Sequence, residues 1–460
     1  MIDWSFRERN PCEAGNSERS GAMRIGRRGL AGEKKGVSAG QPVVTFNPRR
    51  PAAFAWRNVF PLLSLLLVVP FFSACLHDLG DNPPVADVVR FSPAVDQFLD
   101  LVSLQDENAR RAAVDSFLAG VRGNPKLALP LVDSTRVVFI YQGDVLAAPK
   151  VPGDYNGWKP DRAVMTRIAG TDVYYRLEPL PLDARFAYRF NVDRSRIIDT
   201  LNPFTLVRRG DTLSEAWMPA YRPPVEIEKH TELIPGRIIN KQFTSDILGD
   251  TRLIRWYLPP GYGETSQSYP TLYVFRGGAY LHSGKMENVL DYCINKGFCR
   301  PLIVIFITTQ DFLNELELNE SVRRMVVEEI VPWVDGELRT LQDPSQRGIL
   351  GASVGGLMAL NVALRNPEVF GLAGGQSPSI WYEDEWMIRE FRARPKAPLR
   401  IYLDVGTFET SMVEHLRTLR SVLKEKGYPL RYREWDDFHV WENWRAHIDD
   451  ALEALYPPER

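Results

Sequence analysis

A serine set between glycines, followed along the chain by a carboxylate and a histidine, is a residue set that can carry nucleophilic acyl chemistry. Leu350-Gly351-Ala352-Ser353-Val354-Gly355-Gly356 contains the spacing G-x-S-x-G. The bare spacing is weak, because Gly and Ser are common. Here, however, an apolar strand-like run precedes it and a helix-forming run, Leu357 to Asn366, follows. A sharp strand-to-helix turn holds a serine hydroxyl clear of the backbone, and glycines relieve the crowding around it. Ser353 is therefore the expected nucleophile; the alternative is a tight glycine-rich turn with an inert serine. A hydroxyl is a weak nucleophile until a base takes its proton, and the base needs a carboxylate to fix its tautomer.

In an elbow of this kind the serine, acid and histidine follow in that order. His415, His439 and His447 are the histidines after Ser353. His415 lies inside a predicted helix that begins near Met412, and His447 inside the final helix. His439 instead follows the strand-like Leu430 to Trp435, in the loop Asp436-Asp437-Phe438-His439. A loop at a strand's carboxyl end is where a sheet can present a base. Glu409 is the expected acid, in the turn Gly406-Thr407-Phe408-Glu409; Asp404, still within the preceding strand, is the alternative. Asp436 and Asp437 stand too close to His439 for a separate-loop arrangement. The oxyanion hole should use the Val354 amide and one from the loop Arg276-Gly277-Gly278-Ala279-Tyr280. Ala279 is the expected donor, with Gly278 beside it; the alternative is a loop made flexible by glycine.

These residues need a scaffold of alternating strands and helices. Strand candidates are Leu253–Leu258, Thr271–Phe275, Leu302–Ile307, Gly348–Leu350, Leu372–Gly375, Arg400–Val405 and Leu430–Glu434. Helical stripes fill the gaps: Val326, Ile330, Trp333 and Val334, then Met412, Leu416, Leu419 and Leu423. Such βα alternation predicts an α/β fold with a largely parallel sheet covered on both faces. Upstream, short strands at Val137–Tyr141, Val173–Leu177 and Phe186–Phe190, with Gly, Pro and Asn turns between them, predict a β-sandwich. Two short amphipathic helices are expected between Val95 and Val121. The expected organisation is a non-globular segment (1–58), a signal core with lipobox (59–75), a tether (76–94) and a helical lead (95–133). A β-sandwich (134–222), a linker (223–240) and an α/β domain (241–460) complete it.

Several of these runs resemble a known family. Val151-Pro152-Gly153-Asp154-Tyr155-Asn156-Gly157-Trp158, Tyr188-Arg189-Phe190 and Asp199-Thr200-Leu201-Asn202-Pro203 resemble the immunoglobulin-like sandwich domain of enterochelin esterases. That domain is akin to glycogen-binding modules. Gly351–Gly356, Gly374-Gly375-Gln376-Ser377-Pro378-Ser379, Gly406–Glu409 and His439-Val440-Trp441-Glu442-Asn443-Trp444 match, in order, the esterase-D-like group of α/β hydrolases. The group includes enterochelin, feruloyl and acetyl-xylan esterases and mycolyltransferases. The resemblance spans about Phe91 to Pro457. Two departures stand out. Phe312 stands where an Arg is common, which bears on substrate identity, and Val354 replaces a more usual Met or Leu, which leaves its backbone amide unchanged. The resemblance implies a serine ester hydrolase without metal or organic cofactor, most like the siderophore esterases. Alternatives are a feruloyl or acetyl ester hydrolase of polysaccharides, an acyltransferase to a sugar, and a non-catalytic glycan-binding lipoprotein. Trp441 and Tyr280 are candidates for substrate contact. Trp158 either stacks on a sugar or catechol ring or packs across its own turn, the second being preferred. Trp444 shares a helical face with Ile448 and Leu452 and should be buried.

Lys+Arg 56 against Asp+Glu 58 gives a net charge of -2, so no basic excess exists to neutralise nucleic acid. Hydrophobic residues at 44% and charged residues at 25% exclude extensive disorder. The histidines form no HxxxH or HExxH spacing, which argues against a metal enzyme. Arg49, Arg50 and Arg57 precede an apolar run from Val59 to Phe72, too short for a membrane helix of about 20 residues. Basic region, apolar core and the small Ser73-Ala74 are signal-peptide features. Phe72-Ser73-Ala74-Cys75 resembles a bacterial lipobox, with Phe72 where Leu is usual; Cys75 is then the lipidated residue and the only membrane contact. The expected address is the periplasm or cell envelope, and residues 1–48 read as a long n-region or an upstream-start artefact. Export permits a Cys293–Cys299 disulfide; two free thiols flanking a turn are the equal alternative.

Overall fold

The computed structural model describes residues 94–124 and 129–458. The expected signal core, Cys75 and nearly all of the tether lie outside the described residues.

Eight strands form one sheet in the order Arg237–Ser245, Asp250–Leu258, Ile303–Ile307, Thr271–Phe275, Arg347–Ala352, Leu372–Gln376, Arg400–Gly406 and Leu430–Trp435. Asp250–Leu258 runs antiparallel to both neighbours, and every later pair is parallel. Thr271–Phe275, Ile303–Ile307 and Arg347–Ala352 are buried along their whole length, as strands covered on both faces must be. Leu357, Met358 and Leu360 of the Val354–Arg365 helix and Leu416, Leu419 and Leu423 of Thr410–Glu425 cover one face. Met286–Lys296 and Ile448–Leu455 cover the other, through Val289, Leu290, Ile448 and Leu452. The expected α/β arrangement is present.

Arg237–Ser245 overlaps the stretch read as a linker. It is an edge strand, with mixed polar and apolar residues, and gains its order by pairing residue for residue with Asp250–Leu258. The final helix is also not continuous from Trp444. Trp441–Arg445 and Ile448–Leu455 are separate helices, broken at Ala446 and His447.

Ahead of this sheet, Arg136–Gln142 and Val173–Pro179 pair antiparallel. A second antiparallel set joins Arg185–Tyr188, Asp211–Trp217 and Thr205–Arg208. Val137 and Phe139 from the first set share one buried core with Phe186, Tyr188 and Ala216 from the second. The strand predicted over Phe186–Phe190 is interrupted at Arg189, whose amide donates to the Pro152 carbonyl at 3.2 Å. The two expected helices are Ala94–Ser103 and Glu107–Gly123, packed through Phe98, Leu118 and Val121 on Val138 and Ile140. Asp106 starts the second by accepting from the Ala109 amide at 2.7 Å. Cys293 and Cys299 are buried free thiols, so of the two expectations for this pair the disulfide is the one not present.

Candidate active site

Six parallel strands end on the same edge of the sheet, and the loops that leave four of them carry the expected residues. Ser353 directly follows Arg347–Ala352 and precedes the helix Val354–Arg365. Its backbone sits at φ 58° and ψ -126°, a conformation that L-residues rarely adopt. The turn is tight. A Cβ on Gly351 would lie 2.3 Å from the Gly355 carbonyl carbon, so only glycine fits there.

The structure brings Ser353, His439 and Glu409 together. The Ser353 hydroxyl donates to His439 Nε2 at 2.9 Å, and His439 Nδ1–H donates to Glu409 Oε2 at 2.6 Å. The His439 and Glu409 side chains are only 7% and 3% exposed, so the hydrogen bonds lie away from bulk water. Glu409 is itself held: Oε1 accepts from Ser377 Oγ at 2.6 Å and from the Gly406 amide at 2.8 Å. The Trp444 indole N–H donates to the same Ser377 hydroxyl at 3.1 Å, and its ring stands edge-on to His439 at 4.8 Å.

Asp404, the alternative acid, is bonded to Tyr402, Gln376 and the Ser377 amide, whereas the carboxylate partner of His439 Nδ1 is Glu409. Burial pushes the Asp404 carboxyl up to about 7, opposed by those donors. It anchors the turn beneath Ser377. Asp437, two residues before His439, is likewise pushed up to about 7 by burial, with Arg185 pulling the other way. His415 pairs with Glu385 at 2.7 Å. Desolvation drives His447 down to about 3; it stands against the Trp435 ring at 3.7 Å.

Val354 is the first residue of its helix, where amides have no intrahelical acceptor. The second expected donor needs correction. The chain after Phe275 turns straight into the helix Gly277–His282, and the Ala279 amide already donates to the Arg276 carbonyl at 2.8 Å. Gly277 and Gly278 precede Ala279 in the first turn, and Gly278 is the expected donor that remains. Gly277 must remain glycine, since a Cβ there would meet the Phe306 backbone at 2.5 Å.

Of the aromatic candidates, Tyr280 is fully buried, donates its hydroxyl to Gln376 at 2.9 Å, and supports Trp441 edge-on at 5.2 Å. It cannot meet a substrate directly. Trp158 is committed to its own turn: its indole donates to Asp154 at 2.8 Å and the Arg189 guanidinium covers a face at 5.4 Å. Trp441 is half-buried, edge-on to Trp444 at 5.1 Å, with the Arg276 guanidinium 5.7 Å from its ring. Trp444 is 4% exposed. Nothing in the spacing of Gly374–Ser379 signals that the Ser377 hydroxyl bridges Glu409 and Trp444.

The two tryptophans therefore have separable consequences. Trp444→Ala is expected to cost about 3–5 kcal/mol of stability, the usual range for a large aromatic in a core. Trp441→Ala should mainly raise KM for aromatic esters and leave acetyl esters less affected. Denaturant unfolding and paired KM measurements check both. Equal destabilisation with unchanged ester preference would reduce Trp441 to a packing residue.

Residues 245–455 match the Esterase family model. The iron(III) enterobactin esterase of Escherichia coli O6:H1 is 26% identical over 333 residues, covering 64% of this chain and 82% of that protein. The endo-1,4-β-xylanase/feruloyl esterase of Xylanibacter ruminicola is 26% identical over 237 residues, 48% of this chain but only 31% of its own length. Among solved structures, ferric enterobactin esterase from Salmonella typhimurium aligns with a TM-score of 0.60 and 21% identity, over 71% of this chain and 95% of the other. That likeness establishes a shared fold, the α/β hydrolase. The resemblance to enterochelin esterases read from the motifs is borne out by these relatives.

Proposed function

We propose that this chain, whose residues 245–455 match the Esterase family model, hydrolyses a carboxylic ester through a Ser353 acyl-enzyme, with a catecholate siderophore ester as substrate. The observation that carries the reading is the hydrogen-bonded line from Glu409 through His439 to Ser353. His439 Nε2 takes the hydroxyl proton as Ser353 Oγ bonds to the ester carbonyl carbon. The carbonyl oxygen gains charge and is met by the Val354 and Gly278 amides. As the tetrahedral adduct collapses, His439 returns the proton to the departing alcohol. Water, deprotonated by the same imidazole, then releases the acid and restores Ser353. Glu409 holds Nδ1 protonated throughout and balances the imidazolium.

The substrate class rests on enterobactin esterases among the relatives. The matching feruloyl esterase supports a second reading, an aromatic ester on a polysaccharide. A ferric catecholate trilactone should be cleaved faster than feruloylated or acetylated xylan. Faster release of ferulate or acetate, with the trilactone left intact, would transfer the assignment to the second reading.

The two antiparallel sheets belong to this reading as an immunoglobulin-like sandwich beside the cleft, and Cys75 as an envelope anchor. In cells, labelled palmitate should be incorporated by the wild-type chain and not by Cys75→Ala; equal labelling of both would remove the anchor.

A further inference from the structure

The loop carrying His439 is gripped from outside the eight-stranded sheet. Arg185 begins one of the antiparallel strands and its side chain is 3% exposed. Its Nε donates to Glu215 on the neighbouring strand at 2.7 Å, while Nη1 forms an ion pair with Asp437 Oδ2 at 3.5 Å without a hydrogen bond. The Arg185 backbone amide donates to the Asp436 carbonyl at 3.1 Å. A second arginine repeats the arrangement. Arg208 binds both oxygens of Asp154 at 2.7 and 3.1 Å and places Nη2 3.5 Å from Glu442, in the helix that follows His439. Asp154 is fully buried, and the Trp158 indole and the Ala187 amide also donate to it.

Two acid–arginine–acid sets thus reach from the antiparallel sheets to either side of His439. Glu215–Arg185–Asp437 holds the residues before it, and Asp154–Arg208–Glu442 the residues after it. The acid's loop is tied in as well. Phe408, next to Glu409, packs on the antiparallel core, and its amide donates to the Asp437 carbonyl at 3.1 Å. Taking such charges out of water costs several kcal/mol per ion, and apolar residues of similar volume often hold two surfaces together equally well. In some systems what buried ion sets add is a fixed register.

We propose that Arg185 and Arg208 are positioning residues for His439, so that the antiparallel sheets set the geometry of proton transfer. This rests on the reading of His439 as general base. A base displaced by about 1 Å can lose on the order of 100-fold in rate without any loss of substrate affinity.

The test compares Asp437→Asn, Arg185→Lys and Arg208→Lys with the wild type. Asp437→Asn keeps side-chain shape, so it remains informative if an arginine variant fails to fold. Arg347→Lys serves as a control for generic destabilisation, because Arg347 forms a buried pair with Asp335 at 2.6 Å, at the opposite end of its strand from Ser353. The first readout needs no substrate: the His439 Nδ1–H proton resonance, assigned by its loss in His439→Ala. It should shift or broaden in the three loop-facing variants and stay in place in Arg347→Lys. The second readout is p-nitrophenyl acetate turnover, where kcat should fall by up to about 100-fold with KM within about twofold. An unmoved resonance in folded Asp437→Asn and Arg185→Lys overturns the proposal. Loss of the esterase reading has a different mark, turnover that survives Ser353→Ala, and leaves the resonance result to stand by itself.

Discussion

Replacing Ser353 with alanine is expected to lower ester turnover by on the order of 10^6-fold, the scale lost when a triad nucleophile is removed. The substitution removes one oxygen atom. That oxygen contacts His439 at 2.9 Å and Ser379 Oγ at 3.5 Å, and no core packing depends on it. Circular dichroism and the unfolding midpoint should therefore stay near those of the wild type. Residual activity of about 10^3 to 10^4 over water would reflect the oxyanion amides and binding alone. The measurement is p-nitrophenyl acetate hydrolysis by the purified variant, with loss of the p-nitrophenol burst that marks acyl-enzyme formation. Full turnover would remove Ser353 from the chemistry.

Glu409→Gln is expected to lower kcat by about 10^4-fold, because a glutamine amide can turn an N–H toward His439 and stabilise the wrong tautomer. The two oxygens of Glu409 are differently used, one on His439 and one on Ser377 and Gly406. Glutamine keeps the volume and one acceptor, so folding should survive. Asp404→Asn is the informative companion, since the Asp404 carboxylate is engaged by Tyr402, Gln376 and the Ser377 amide. It should cost stability more than rate. Comparing kcat and unfolding midpoints of the two variants distinguishes them. A larger kcat loss in Asp404→Asn would reverse the assignment of the acid.

The parts of the site legible in the sequence were those fixed by chain order and local context. A G-x-S-x-G run between strand and helix, a histidine just past a strand and a glutamate in a strand-end turn each declare a position on the sheet edge. Backbone phase was less legible. Whether the helix after Phe275 begins at Gly277 or later decides which amide stays open, and that depends on Arg276 adopting a left-handed conformation, φ 56° and ψ 39°. Tyr280 ends the run Arg276–Tyr280, yet helical rotation turns its side chain inward to Gln376. The edge strand Arg237–Ser245 was hidden by its polar alternation, since its order comes from a partner and not from its own composition. Arg185 carried no signal at all: its partners Glu215 and Asp437 meet only in the folded chain.

The left-handed backbone of Ser353 has a consequence for how variants of this protein would be recovered. A non-glycine residue held in such a region costs on the order of 1–3 kcal/mol, and glycine is the residue that relieves it. On the reading of Ser353 as the nucleophile, position 353 is therefore one where greater thermal resistance and loss of chemistry arrive in the same substitution. A library sorted for heat survival or soluble yield alone would enrich the dead glycine variant. Any directed evolution of this fold has to score activity in the same round as stability.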